Sequence, residues 1–249
     1  RDLVRSRGLG DVYKRQPLDM PRPQIAIMFA FVLVAALIGG YLLFNVLDAV
    51  RGGTARAQAS VEENLSREVS YDLPALTSYI TLNDDEIKQA VADAGLTVID
   101  KGGMSDDPEA ALELIKLPSD VSELDAGLMY NKGVSKLSAS EAALLLNGSW
   151  TLDADRSDGT SMRLRYADFS SGSLDAAIDA AIAAEGFDPA TIAEDGMGVD
   201  EVGNTFKQGT VDVDGTAYTW KVSALPLSEM YDISGLPETA VYVGVRLSS

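Results

Sequence analysis

The chain has 249 residues, 46% of them hydrophobic and 23% charged, with no Cys, no His and a formal net charge of −18. Globular composition of this kind excludes a disordered, collagen-like or disulfide-built chain. Lacking Cys and His removes thiol nucleophiles, imidazole bases and zinc sites built on N or S ligands, and the net acidity argues against nucleic-acid binding.

The charge is unevenly spread. Residues 1–59 carry eight Lys/Arg against four Asp/Glu, whereas residues 60–249 carry twelve against thirty-four. A basic, apolar N-terminal piece therefore precedes a strongly acidic body, which repels anionic lipid and nucleic acid.

Residues 1–19 are expected to be a non-native or disordered leader. The run Asp-Val-Tyr-Lys-Arg-Gln at 11–16 resembles translated sequencing-adapter read-through, which sets the natural start at Met20. Residues 20–50 follow as a transmembrane signal anchor. Ile25 to Phe44 is twenty residues without a charge or a proline, and Val46 and Leu47 extend it. Twenty helical residues span about 30 Å, the hydrocarbon thickness, so the membrane is the first partner, met by one helix from Ile25 to Leu47. A cleaved signal peptide is the rival, with Ala57-Gln58-Ala59 as a cleavage pattern, but its apolar core would be shorter. Ala35/Gly39 and Ala36/Gly40 are small-residue pairs of the sort common in anchors. Arg22 lies on one side of the span and Arg51 and Arg56 on the other, so positive charge barely decides orientation. An N-terminal anchor before a long acidic domain places residues after about 51 outside the cytoplasm.

Residues 51–80 read as a juxtamembrane stalk, with Thr54 to Arg67 a short exposed helix and Pro74 a stop. Residues 81–148 read as a helix-rich segment. Asn83-Asp84-Asp85-Glu86 opens a helix that turns Ile87, Val91 and Ala94 inward and ends at Gly95. Leu96 to Ile99 is a short strand. Asp106-Asp107-Pro108 caps a second helix carrying Leu112 and Ile115 inward, stopped by Pro118. Residues 120–136 read as a loop with a helical turn, and Ser138-x-x-Glu141 is a capping box for a third helix.

Residues 149–249 read as an α+β sheet domain, and residues 81–249 together are the alternative unit. Trp150, Leu152 and Ala154 alternate with polar residues, as do Met162, Leu164 and Tyr166. Facing pairs must share a side, so Ser157-Asp158-Gly159 is a three-residue loop and Asp153 lies opposite Arg163 as an outward ion pair. Ser173 caps a helix over 174–185. Residues 186–205 read as a long loop with a turn at Pro189-Ala190. Asp214-Gly215 closes a type I′ hairpin that pairs Val213 with Thr216, Val211 with Tyr218 and Gly209 with Trp220. A last strand covers 241–247. The expected fold is thus α+β: one transmembrane helix, a stalk, a helix-rich segment, then an antiparallel sheet of about five strands with one packed helix.

No catalytic set, cofactor or metal site is expected. Asp153-Ala-Asp155-Arg-Ser157-Asp158-Gly159 fails as a calcium loop, because Asp158 replaces the required Gly and Leu164 the required Glu. Carboxylate pairs are unavoidable by chance among thirty-four acids. The expected function is a single-pass, membrane-anchored, acidic extracytoplasmic domain with a non-catalytic role in the cell envelope, binding an envelope protein or associating with itself. A carboxylate-based hydrolase and a sensor or regulatory ectodomain are the alternatives. The candidate binding loop comprises Asp195, Gly196, Gly198, Asp200 and Glu201. Its acids predict a basic partner segment or a cation.

Overall fold

A computed structural model describes residues 53–101, 112–156 and 159–249. The leader, the apolar stretch Ile25–Leu47, the Asp106-Asp107-Pro108 cap and the Ser157-Asp158 loop residues lie outside these. The chain divides into two units, Arg1–Thr54 and Ala55–Ser249, and the second contains the sheet and the helices packed on it. Among the described residues no helix is long and apolar enough to cross a membrane.

The second unit is built on one antiparallel sheet of eight strands, in the order β1-β2-β3-β4-β8-β7-β6-β5. The strands are β1 (Val98–Asp100), β2 (Leu112–Lys116), β3 (Trp150–Asp155), β4 (Ser161–Asp168), β5 (Met197–Val199), β6 (Thr205–Val213), β7 (Thr216–Pro226) and β8 (Val241–Ser248). The helices are α1 (residues 53–65), α2 (Leu76–Tyr79), α3 (Asp84–Asp93), α4 (Glu123–Lys132), α5 (Ala139–Leu146), α6 (Leu174–Glu185) and α7 (Leu227–Met230). Helices with an antiparallel sheet agree with the α+β expectation. The sheet is larger than the five strands expected, because β1 and β2 join it from the segment read as helix-rich and β5 from the segment read as loop.

Both hairpins have the expected register. Val213 pairs with Thr216, Val211 with Tyr218 and Gly209 with Trp220. Asp214 and Gly215 take φ values of 54° and 81°, the left-handed pair that a type I′ turn requires. At Gly209 the fit is steric: a Cβ there would come within 2.5 Å of the Trp220 ring. In the other hairpin Asp153 lies opposite Arg163, but its ion pair at 2.6 Å is with Arg165, one step along the same face.

Three expectations fail for identifiable reasons. Leu112–Lys116 is a strand, not the inward face of a helix. Leu112 and Leu114 bury on one side of the sheet and Ile115 on the other, so a strand covered on both faces mimics helical spacing. Residues 123–132 form a full helix, not a loop with one turn. Ser122 caps it by accepting the Asp125 N–H, and Gly133 ends it. Only Ala126 and Met129 are buried there, while Leu124 and Leu128 are exposed, so the helix shows no clear apolar face. The stretch read as a stalk is packed into the body. Val61 is buried, the Asn64 side-chain amide donates to the Ser140 carbonyl at 2.8 Å, and Trp150 Nε1 donates to the Tyr71 carbonyl at 2.8 Å.

The two sides of the sheet differ. Alternation places Leu152, Leu164, Trp220, Val222, Val243, Val245 and Leu247 on an inner side, covered by α2, α3 and α6. Capping fixes these helices: Asn83 and Glu86 form a reciprocal box on α3, and Ser173 accepts the Ala176 N–H on α6 before Gly186 ends it in the left-handed region. The outer side is covered only in part. A second apolar cluster there joins Ile115, Ala167 and the half-buried Tyr242 to Leu145, Met129, Leu227 and Ile233. Among the described residues nothing covers the rest of the outer side.

Candidate functional site

The open part of the outer side follows from the same alternation that builds the core. With Met162, Leu164 and Tyr166 turned inward, β4 must turn Arg163 and Arg165 outward. β8 turns out Tyr242, Gly244 and Arg246, and β7 turns out Lys221, Ser223 and Leu225. Strand register then lines up Arg163, Arg246 and Lys221 as direct neighbours across β4, β8 and β7. Neighbouring strands lie about 4.8 Å apart, so three cations occupy one transverse row. Asp153 and Glu113 continue the row on one side and Gln208 on the other.

Beside the row, Gly244 sits between Arg165 and Ser223 and leaves a gap where a side chain would stand. The result is a depression of about 360 Å3. The four cations line it together with Asp200 and Asn204 at one wall and Leu225, Met230 and Tyr242 at another. Its volume lies in the range of small-molecule sites.

The charges are not all used internally. Arg165 pairs with Asp153, and Lys221 pairs with Asp200 at 3.0 Å while lying 4.4 Å from the Phe206 ring centre. Burial raises the Asp153 carboxyl above its usual range despite the Arg165 guanidinium. The Nε–H of Arg165 is buried with no acceptor among the described residues. Arg246 donates through Nε to Ser161 Oγ at 3.1 Å. Among the described residues no carboxylate forms an ion pair with Arg163 or Arg246.

The candidate loop is split by the fold. Pro189–Thr191 forms the expected turn, as 3-10 helix, whereas Met197–Val199 becomes the edge strand β5 rather than loop. Gly196 is buried, and a Cβ there would meet the Gln208 carbonyl oxygen at 2.6 Å. Gly198 lies in β5 opposite Phe206. Asp195 and Glu201 are exposed and do not line the depression. Asp200 does. Its carboxylate accepts the Val202 and Asn204 backbone N–H groups, the Asn204 side-chain amide and the Lys221 ammonium. Desolvation pushes its pKa up, but the hydrogen bonds from Lys221 and Asn204 prevail and hold it at about 2. The acid read from the sequence as a cation binder is thus already neutralised, and the surface beside it is basic.

Of the buried charged residues elsewhere, Lys116 and Glu185 join separate segments of the chain. Lys116 is 2% exposed and donates to the Ser70 and Gly148 carbonyls, tying the chain after α1 to the start of β3. Burial lowers its pKa. Glu185, at the end of α6, accepts the Leu76 N–H at 2.8 Å and so caps α2 from a distance. Burial raises its carboxyl to about 7.

Compared with protein-family models, with curated proteins and with solved structures, the chain matches none. The site is therefore read from its own geometry. Sequence reasoning missed Arg163, Arg165, Lys221 and Arg246 as a group. Each is an outward position of a correctly read strand, but their meeting depends on β8 inserting between β4 and β7. The usable signal was their share of the cations: four of the twelve Lys/Arg in residues 60–249 fall on outward positions of three strands.

Proposed function

We propose that this chain is a single-pass, membrane-anchored protein whose acidic body lies outside the cytoplasm and acts in the cell envelope by binding rather than catalysis. The apolar run Ile25–Leu47 supports the anchor. The observation that favours binding is the lining of the depression. Its cations stand beside amide and hydroxyl groups, and the one carboxylate that lines it among the described residues, Asp200, is held at about 2 by hydrogen bonds. A carboxylate so stabilised is a weak proton acceptor at neutral pH, which disfavours the two-carboxylate hydrolase.

A protein contact, with an envelope partner or a second copy, belongs on the β5 edge, where Asp195, Gly196, Gly198, Asp200 and Glu201 cluster in sequence. Met197, Val199 and Val202 are exposed there beside a strand edge, an arrangement open to strand addition. Protease shaving of intact cells tests the topology. The body is expected to be cleaved without lysis, and a body cut only after lysis would overturn the assignment.

A further inference from the structure

We infer that the row Arg163–Arg246–Lys221 is a binding site for a small soluble phosphate monoester, its phosphate held by the two arginines and its organic body resting against Tyr242 and Met230. This rests on the reading of the domain as a binding module and names the ligand class of its depression.

The first argument is electrostatic. Like charges placed directly opposite across strands destabilise a sheet. Here two such pairs are contiguous, Arg163 with Arg246 and Arg246 with Lys221. The body has nearly three acids for each base, so an acidic neighbour would be the ordinary composition at these positions. Instead Asp153, which stands opposite Arg163, is bonded to Arg165, and Asp200 is bonded to Lys221 and Asn204. Arg163 feels the Asp153 charge across the strands, but neither its guanidinium nor that of Arg246 is in ion-pair contact with a carboxylate among the described residues.

The second argument is chemical. A guanidinium presents N–H groups in a planar fork that matches phosphate oxygens, and two such side chains at directly paired positions are within reach of one tetrahedral group. A phosphate monoester carries about 1.5 to 2 negative charges at pH 7, which two arginines outside ion pairs match, whereas a single carboxylate engages one fork. The third argument is shape. The depression of about 360 Å3 is larger than a phosphate needs and has an apolar wall of Leu225, Met230 and Tyr242. Charge also selects the source. A body with twelve Lys/Arg and thirty-four Asp/Glu is repelled by an anionic membrane, and a second copy has its place at the β5 edge, whereas a small anion meets chiefly the local field of the row.

Calorimetric titration of the full chain in zwitterionic detergent, at low chloride, tests this with three probes: inorganic phosphate, phenyl phosphate and benzoate. Saturable one-to-one binding is expected for phenyl phosphate, tighter than for inorganic phosphate and than for benzoate. Arg163→Gln combined with Arg246→Gln should weaken phenyl phosphate by about tenfold or more, and Lys207→Gln, a cation on the opposite side of the sheet, should leave it unchanged. Equal weakening by Lys207→Gln would reduce the effect to net charge and overturn the site. So would retained binding in a folded double variant, or no saturation in the wild type. Loss of self-association, or loss of adhesion to phosphatidylglycerol vesicles, in the double variant without phosphate binding would assign the row to those occupants instead. Release of phenol from a bound probe would leave the site standing while overturning the non-catalytic reading, and a failed shaving experiment would leave the titration unaffected.

Discussion

The two sides of the sheet are made by the same strands under the same alternation, yet they answer to different physics. On the inner side, burial decides each residue: Leu164, Trp220, Val222 and Val243 are fully enclosed, with α6 lying across β7 and β8 and α2 against β4. On the open outer side no burial compels a choice, and three cations stand adjacent there in an acidic chain, with Asp153 and Gln208 flanking them. An inner position is explained by what it packs against. The outer row has no such explanation within the described residues, which makes it the place where a function shapes the sequence. The contrast predicts large stability effects on one side and small ones, with a binding phenotype, on the other.

The largest effect belongs to Trp220. Its ring stacks on Phe187 with centroids 5.0 Å apart and its Nε1 donates to the Thr210 carbonyl at 3.2 Å. Trp220→Ala should cost about 3–5 kcal/mol, read as a drop in the urea midpoint with little change in slope. A loss under about 1 kcal/mol would mean that the inner side is not the core.

Next is the pH dependence set by Glu185. Burial raises its folded pKa to about 7, with the buried Tyr166 as a titratable neighbour. Folding therefore favours the protonated acid. This contribution is fully present below the unfolded carboxyl range and is lost as pH rises through about 7. The span corresponds to about 3 kcal/mol as an upper bound. Unfolding by urea at pH 5 and pH 8 should show lower stability at the higher pH. Glu185→Gln keeps an acceptor for the Leu76 N–H without the charge, so it should flatten that difference and be the more stable form at pH 8. An unchanged difference in the variant would place the titration elsewhere.

Gly209 offers a smaller perturbation of the same side. Its absent Cβ makes room for the Trp220 ring and for Thr191 Oγ1, which a Cβ would approach to 2.6 Å. Gly209→Ala should cost about 1–3 kcal/mol through overpacking, with near-ultraviolet circular dichroism reporting a displaced indole. A neutral result would show that Trp220 can move at little cost.

How far the molecule is legible in its sequence follows from this contrast. Alternation, Asp214-Gly215 and the capping boxes at Asn83 and Ser138 are local, and they fix elements and hairpin registers because each is decided within a few residues. β2 reads as helix because its two faces meet two cores, which erases alternation. α4 escapes notice because Leu124 and Leu128 point to solvent and Gly127 interrupts its propensity. The basic row is invisible for a different reason. Arg163 and Arg246 are 83 positions apart in sequence, and only the non-local pairing of β4 with β8 makes them neighbours. Of the candidate loop, Asp200 alone reaches the depression, through a lysine brought to it by strand pairing rather than by sequence proximity.

The smallest stability effect is the most diagnostic. Arg246 stands between two cations and feels two opposing fields: repulsion from Arg163 and Lys221 beside it, and attraction to the many acids of the body at longer range. At about 0.15 M ionic strength the screening length is about 8 Å, so the close repulsion outlasts the distant attraction. Arg246→Gln should therefore leave stability unchanged or raise it by a few tenths of a kcal/mol at that ionic strength, despite loss of the bond to Ser161 Oγ. At low ionic strength the distant acids act more strongly, and the advantage of the variant should shrink or reverse. Chemical denaturation of wild type and variant in urea at both salt concentrations separates the two fields. A loss above about 1 kcal/mol at the higher salt would mean that Arg246 is held in a structural ion pair, and the outer row would then be part of the framework rather than a surface kept free for an anion.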